Sequence, residues 1–319
     1  MKVVAVAGRD DVALVYLAER DNGRLVEFTE SLQPPLPREQ KWVLTISTLD
    51  GCPVRCRFCD AGGTPRGRLS LEDILSQIDT MIVKRFPDRR VPVKKFKVQF
   101  ARMGEPALNP HVLEALQALP GLYEAPGLIP SLSSVAPAGT DDFFEKLLRI
   151  KKERYPGGFQ LQFSIHTTDE KLRDWLMPVK KWPLEKIAEY GAKFQEGKDK
   201  KVTLNFALAE TLPVDPDALL RCFSPDVFLI KITPVNPTFQ AARHGITSRG
   251  PEAGEVAAGL ERAGYEVRVS PGEPEENRIG SNCGMYVTEY RKQRSSPSVA
   301  GSYIYGLRKV RTDSPSGGR

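Results

Sequence analysis

Along the chain, short apolar or β-branched runs alternate with longer stretches whose apolar residues recur at helical spacing. Val3 to Ala7, Ala13 to Glu19 and Leu25 to Thr29 read as strands, the last two joined by Asp21-Asn22-Gly23, a hairpin turn signal. Pro34, Pro35 and Pro37 then interrupt the chain. From residue 42 the pattern becomes strand and then helix, repeatedly. Strands are predicted at Trp42 to Thr48, Lys95 to Ala101, Ile129 to Ser133, Phe159 to His166, Lys201 to Ala207 and Val227 to Thr233. Helices are predicted between and after them, at Leu71 to Phe86, His111 to Ala118, Asp141 to Glu153, Leu184 to Gln195, Pro216 to Phe223 and Glu252 to Ala263. Ser70 stands where the first helix needs an N-cap, with Asp73 three residues on. Six strands alternating with helices predict an α/β fold with a parallel sheet and right-handed crossovers. Periodicity alone leaves both a barrel and an open doubly wound sheet in play.

Composition narrows the setting. A chain of 319 residues, 40% hydrophobic and 27% charged, can bury one large core with small additions. No apolar run approaches the roughly 20 residues needed to span a bilayer, and the N-terminus lacks the basic, apolar and small-residue order of a signal peptide. A cytoplasmic protein with no membrane association is expected. The net charge of +6 lies entirely within residues 291 to 319, where seven basic residues face Asp313. That Ser/Pro/Gly-rich tail could neutralise nucleic-acid phosphates or serve as a partly disordered, solubilising end with a short strand at Tyr303 to Leu307. The expected division is therefore a small β-hairpin extension over 1–38, a core over 39–290 and a basic tail over 291–319.

The chemistry concentrates in Gly51-Cys52-Pro53-Val54-Arg55-Cys56-Arg57-Phe58-Cys59, where Cys52, Cys56 and Cys59 are spaced Cys-x3-Cys-x2-Cys. Cysteine thiolates are the usual iron–sulfur ligands, and three from one short loop would hold a [4Fe–4S] cluster with its fourth iron open. A zinc site would want a fourth ligand at finger-like spacing. The histidines stand at 111, 166 and 244 and the other cysteines at 222 and 283, and none forms a second knuckle. Five cysteines are too few, and odd in number, for a disulfide framework. Cys222, within a predicted amphipathic helix, reads as packing.

In barrel-type α/β folds reactive residues sit at the carboxyl ends of strands. The first such end carries the cysteine loop. The second carries Met103-Gly104-Glu105-Pro106-Ala107-Leu108-Asn109, in which glycine permits close backbone approach to a ligand and a carboxylate can accept from an ammonium. The third carries Ser131-Leu132-Ser133-Ser134-Val135-Ala136-Pro137, the fourth Phe163-Ser164-Ile165-His166 and the sixth Thr233-Pro234-Val235-Asn236-Pro237.

The cysteine loop resembles that of radical S-adenosylmethionine (SAM) enzymes. The series Gly-Glu-Pro-x-Leu-Asn, Ser-x-Ser-x-Val-x-Pro, Ser-x-His with Asp169 to Asp174 and Met177 to Leu184, and Pro-x-Asn-Pro resembles the RlmN/Cfr-type RNA adenosine methyltransferases over about residues 42 to 290. The resemblance implies a partial (β/α)6 barrel, a [4Fe–4S] cluster on Cys52, Cys56 and Cys59, and a SAM site lined by Phe58, Gly104, Glu105, Ser131, Ser164, Ile165, His166 and Asn236. It also implies that Cys283, in Ser281-Asn282-Cys283-Gly284-Met285, is a catalytic cysteine methylated by one SAM. A radical derived from a second SAM then activates that methyl group. An electron donor such as a flavodoxin or ferredoxin is implied as a partner.

Two departures stand out. Where the family carries a second cysteine, seven residues before the first cluster cysteine, this chain has Thr45, whose alcohol cannot perform thiol–disulfide chemistry. Where the family has a helical RNA-binding domain, this chain has a β unit. The expectation is a methyl or methylene transfer through Cys283 to an unactivated or sp2 carbon. The acceptor is a small molecule or an RNA base, the neutral core favouring a non-ribosomal one. A rival reading makes Cys283 a hydrogen-atom donor in a rearrangement or dehydrogenation without methylation. A third, an electron-transfer or nucleic-acid-binding protein without activity, predicts no 5′-deoxyadenosine from SAM and reductant.

Overall fold

The computed structural model of the chain describes residues 1–61, 65–248, 253–270, 272, 274–281, 286–287, 290 and 307–310. Strands run in order as β1 (Lys2–Arg9), β2 (Ala13–Glu19), β3 (Leu25–Ser31), β4 (Lys41–Ile46), β5 (Leu49–Asp50), β6 (Gly67–Arg68) and β7 (Lys95–Phe100). They continue as β8 (Leu128–Ser134), β9 (Gln160–Ser164), β10 (Val202–Leu208), β11 (Phe228–Pro234), β12 (Glu266–Val269) and β13 (Arg308–Lys309). The helices are α1 (Leu71–Arg85), α2 (His111–Leu122), α3 (Asp141–Arg154), α4 (Glu170–Leu176), α5 (Leu184–Phe194), α6 (Pro216–Leu220), α7 (Phe239–Arg243), α8 (Ala253–Arg262) and α9 (Pro274–Ile279).

One sheet holds eleven of these strands in the order β12-β11-β10-β9-β8-β7-β4-β3-β2-β1-β13. From β4 to β12 all neighbours are parallel, as helical crossovers require. Among the described residues β12 and β13 stand at the two ends of this order and are not paired with each other. The parallel run has seven strands where the sequence predicts six. The extra one, β12, is a short edge strand whose Glu266 and Arg268 hide its pattern. The N-terminal unit is not set apart from this sheet: β3 pairs antiparallel with β4, Thr29 opposite Thr45, and β13 returns from the tail to pair with β1. The strand expected at Tyr303 to Leu307 falls almost wholly outside the described residues.

Side chains alternate across a strand, and here the two faces differ sharply. Trp42, Leu44 and Ile46 of β4, Phe96, Val98 and Phe100 of β7, Leu161 and Phe163 of β9, Leu204 and Phe206 of β10 and Ile230 and Ile232 of β11 are buried in the main core. Trp42 stacks on Phe96, with ring centroids 5.2 Å apart. Helix α1 starts in a capping box, Ser70 accepting from the Asp73 backbone and Asp73 from that of Ser70. Its Asp73 also bridges to Arg20 at 2.6 Å, tying the helix to the N-terminal hairpin. The opposite face of the same strands carries Thr45, Lys97, Gln99, Gln162, Thr203 and Lys231, which line cavities. Such a polar face is unusual for parallel strands, which are commonly apolar on both sides. No helix among the described residues is long and apolar enough to cross a membrane.

Candidate active site

At the carboxyl ends of the parallel strands lies a cavity of about 310 Å³. Cys52, Cys56 and Cys59 all line it, with Phe58, Gly104, Glu105, Ser164, His166 and Asn236. Ser131 and Ile165 do not. Ser131 is buried further down β8, which runs on to Ser134, so Ser133 and Ser134 reach the cavity instead; Ile165 belongs to the apolar core. Gln99, Arg102, Gln162, Asn205, Lys231 and Thr238 also line the cavity and were not singled out from the sequence. Cys222 lies just beyond α6, half-buried, with its thiol 3.7 Å from the Glu185 carboxylate. Cys283 lies outside the described residues.

The cysteine loop is fixed at several points. Thr238 caps α7 by accepting from the Ala241 backbone and donates its hydroxyl to the Phe58 carbonyl at 2.7 Å. Asp60 accepts from the backbone N–H groups of Phe239 and Gln240, at 3.1 and 2.9 Å. On the far side Arg57 donates to the carbonyls of Leu176 and Trp175. A satellite apolar cluster including Val54, Leu176, Met177, Ala207, Val235 and Ile246 packs on Cys52, Cys56 and Phe58. That cluster keeps water from one side of the thiols.

Among the described residues no group of three His, Cys, Asp or Glu side chains closes around a single metal ion. Three thiols spread around a shared cavity suit a cluster, whose cysteines bind separate irons, better than one zinc. The donor set therefore fits a [4Fe–4S] cluster on Cys52, Cys56 and Cys59.

Glu105 is buried and receives three hydrogen bonds, from Ser134 Oγ at 2.6 Å and from the N–H groups of Val135 and Ala107 at 2.9 and 3.0 Å. Burial pushes its pKa up despite those donors, because the ionised form is costly away from water unless a cation meets it. An alkylammonium in the cavity would meet that need. Gly104, at φ 99°, carries the chain into this position, and a Cβ there would lie 2.5 Å from that of Leu49. Asn109, in contrast, ties the strand end itself, donating to the carbonyls of Thr48 and Leu69, both at 2.8 Å.

His166 adopts φ 66° and packs edge-on to Phe58, with ring centroids 4.9 Å apart. Its Nδ1 accepts from the Ala207 backbone at 3.0 Å, which leaves the ring proton on Nε2. Burial, with a smaller effect of Arg173, lowers its pKa to about 3, so the ring is neutral. The two rings, edge to face, form an uncharged aromatic corner beside the thiols, and an adenine can pack on a ring face of that kind.

Ser281 and Val287, described residues on either side of Cys283 in the chain, are each held by a buried charged side chain. Arg102, itself in the cavity wall, donates to the Ser281 carbonyl. Glu27 of β3 pairs with Arg102 at 2.5 Å and accepts from the Val287 N–H at 2.9 Å. Tyr286 donates to the Ile279 carbonyl.

No family model matches the chain. It is 29% identical over 249 residues to a probable dual-specificity RNA methyltransferase RlmN of Thermosipho melanesiensis, a match covering 75% of this chain and 67% of that protein. It is 28% identical over 291 residues to the dual-specificity RNA methyltransferase RlmN of Syntrophobacter fumaroxidans, covering 88% and 78%. Against other relatives named RlmN the match covers 60 and 64% of their length. Among solved structures, a radical SAM methyltransferase from Sphaerobacter thermophilus superposes with a TM-score of 0.67 over 89% of this chain and 81% of that one, at 18% identity. The chain is RlmN-like in sequence and has the fold of a radical SAM methyltransferase.

Proposed function

We propose that the chain is a radical SAM enzyme that transfers a one-carbon unit by way of Cys283 to an unactivated or sp2 carbon. The observation that carries this reading is the convergence of the three thiols, Glu105, Phe58 and His166 on one cavity, with Arg102 of its wall bonded to the Ser281 carbonyl and paired with Glu27, which accepts from Val287. When bound, the cluster supplies the electron that cleaves SAM to methionine and a 5′-deoxyadenosyl radical.

The chain's own residues do the rest. Glu105 receives the ammonium of SAM, which balances a carboxylate whose burial is otherwise unfavourable. Phe58 and His166 hold the adenine without adding charge. The satellite cluster over Cys52 and Cys56 excludes water from the thiols. Arg102 holds the Ser281 carbonyl and Glu27 the Val287 N–H, described residues that precede and follow Cys283 in the chain.

Thr45 faces the polar side of the sheet opposite Gln99. No thiol at that position can open a covalent adduct by disulfide exchange, which supports a product cycle different from that of the RlmN relatives. The same residue favours the second reading, in which Cys283 donates a hydrogen atom and no carbon is transferred.

Reconstituted protein incubated anaerobically with SAM and dithionite tests the first claim: 5′-deoxyadenosine forms above the level of a Cys56→Ala variant. Its absence from the wild type would remove the radical SAM reading. Carbon from methyl-labelled SAM found in a product supports transfer, and 5′-deoxyadenosine with no labelled product supports the second reading.

A further inference from the structure

Beneath this cavity, towards the amino ends of the strands, the polar face of the sheet encloses a second chamber of about 540 Å³. Lys41, Lys95, Lys97, Lys231 and Arg268 line it, and Glu276 is the one carboxylate among its described lining residues. The cations come from four strands, β4, β7, β11 and β12, so they surround a volume rather than form a surface stripe. Arg268 is paired with Glu266 at 2.6 Å and Lys41 is bonded to Gln33. Lys97 and Lys231 line the chamber away from such contacts, the charge of Glu276 acting on Lys231 and four neighbouring cations on Lys97. Burial, followed by the charges of Lys231, Lys95, Lys41 and Arg268, lowers the pKa of Lys97 to about 7, and burial lowers that of Lys231. Gathering ammonium groups in this way opposes folding, and a bound anion offsets it.

The chamber adjoins the upper cavity, because Gln99, Gln162 and Lys231 line both. At the upper level Ser133 Oγ and Asn205 Oδ1 are buried and have no hydrogen-bond partner among the described residues. Buried polar atoms of that kind ordinarily find a partner, and a ligand passing between the two levels would supply one. Point-like ammonium groups on several sides suit a tetrahedral, multiply charged oxyanion better than a planar carboxylate, which pairs best with the guanidinium fork.

We propose that this chamber binds the phosphate or polyphosphate group of a small-molecule substrate, with Lys97 and Lys231 as its main contacts and the reacting carbon placed above them. The assignment rests on the reading of the upper cavity as the SAM site, but its test does not require a cluster or SAM. Amine-selective labelling with quantitative mass spectrometry, run with and without inorganic pyrophosphate, reads the occupancy of each lysine in the wild-type chain. Protection of Lys97 and Lys231 of about fivefold is expected, with the surface Lys152 unaffected. In titrations, Lys97→Met and Lys231→Met should each bind pyrophosphate about tenfold more weakly or worse, as expected for loss of a charge-assisted contact.

Equal labelling with and without pyrophosphate would overturn the proposal. So would protection by citrate but not pyrophosphate, or by an RNA oligonucleotide alone. Protection without 5′-deoxyadenosine formation would leave the anion site standing and remove the radical SAM reading; the converse result would do the opposite.

Discussion

Arg102 and Glu27 form an ion pair at 2.5 Å, almost wholly buried, that joins the end of β7 to the N-terminal β3. Its two members also hold the backbone at Ser281 and Val287, on either side of Cys283. The N-terminal strand β3 thus reaches the cavity wall, through a carboxylate far from it in sequence. Removing one member strands the other charge in a buried place, at a cost of about 3–5 kcal/mol. Arg102→Met should therefore lower stability by that order and speed amide exchange in the peptide covering residues 276 to 290 more than elsewhere. Hydrogen exchange with mass spectrometry reads both, and unchanged exchange in that peptide would contradict the anchoring role.

Glu105→Gln keeps the shape of the side chain and removes the charge. The amide oxygen can keep the bonds that Ala107 and Ser134 make to one carboxylate oxygen, the Val135 N–H losing its acceptor on the other, so the fold should hold at some local cost, whereas the attraction for an ammonium is lost. SAM affinity of the reconstituted protein should fall about 10- to 100-fold, as for loss of a hydrogen bond to a charged group. Equilibrium binding measures the effect, with circular dichroism confirming the fold. Unaltered affinity would place the ammonium elsewhere.

The lysine chamber has a pH signature. Lys97 titrates near 7 in the folded chain against an ordinary value of 10.5, so between those limits the unfolded chain binds more protons than the folded one. Stability contributed at this site then rises with pH from about 7 to 10.5 and is lowest below 7. Lys97→Met lacks this penalty. Its stability advantage over the wild type should be greatest below pH 7 and shrink towards pH 10, as read by denaturant unfolding at several pH values. A difference independent of pH would show that Lys97 is not held in this environment.

Much of this was legible in the sequence because the strands announce themselves by alternation and the helices by their caps. Ser70 and Asp73 form the capping box where they were expected, and the Cys52, Gly104, Ser164 and Asn236 strand ends meet at one cavity. Ser131 belongs to the Ser-x-Ser strand end, but β8 continues to Ser134, so Ser131 lies two residues below Ser133 on the same face and the hydroxyls nearer the carboxyl end reach the cavity. Ile165 follows Ser164 and so turns to the opposite face. Helix α4, capped by Asp169, was not expected because it is only seven residues long. The pairings of β3 with β4 and of Glu27 with Arg102 are non-local, and no local pattern encodes them. In the sequence itself Lys95-Phe96-Lys97-Val98-Gln99 and Ile230-Lys231-Ile232 place polar residues on one face of parallel strands. That alternation marks a hollow, polar chamber where a filled apolar one is usual.

The central claim is that Cys283 carries the one-carbon unit. Anaerobically reconstituted protein, treated with SAM and digested, should yield a peptide containing Cys283 about 14 Da heavier, from replacement of the thiol hydrogen by methyl, and methyl-labelled SAM should move that mass by the label. The same peptide from a Glu105→Gln protein should be modified less. A Cys283 peptide of unchanged mass, from protein that forms 5′-deoxyadenosine in the same tube, would contradict methyl transfer through this cysteine.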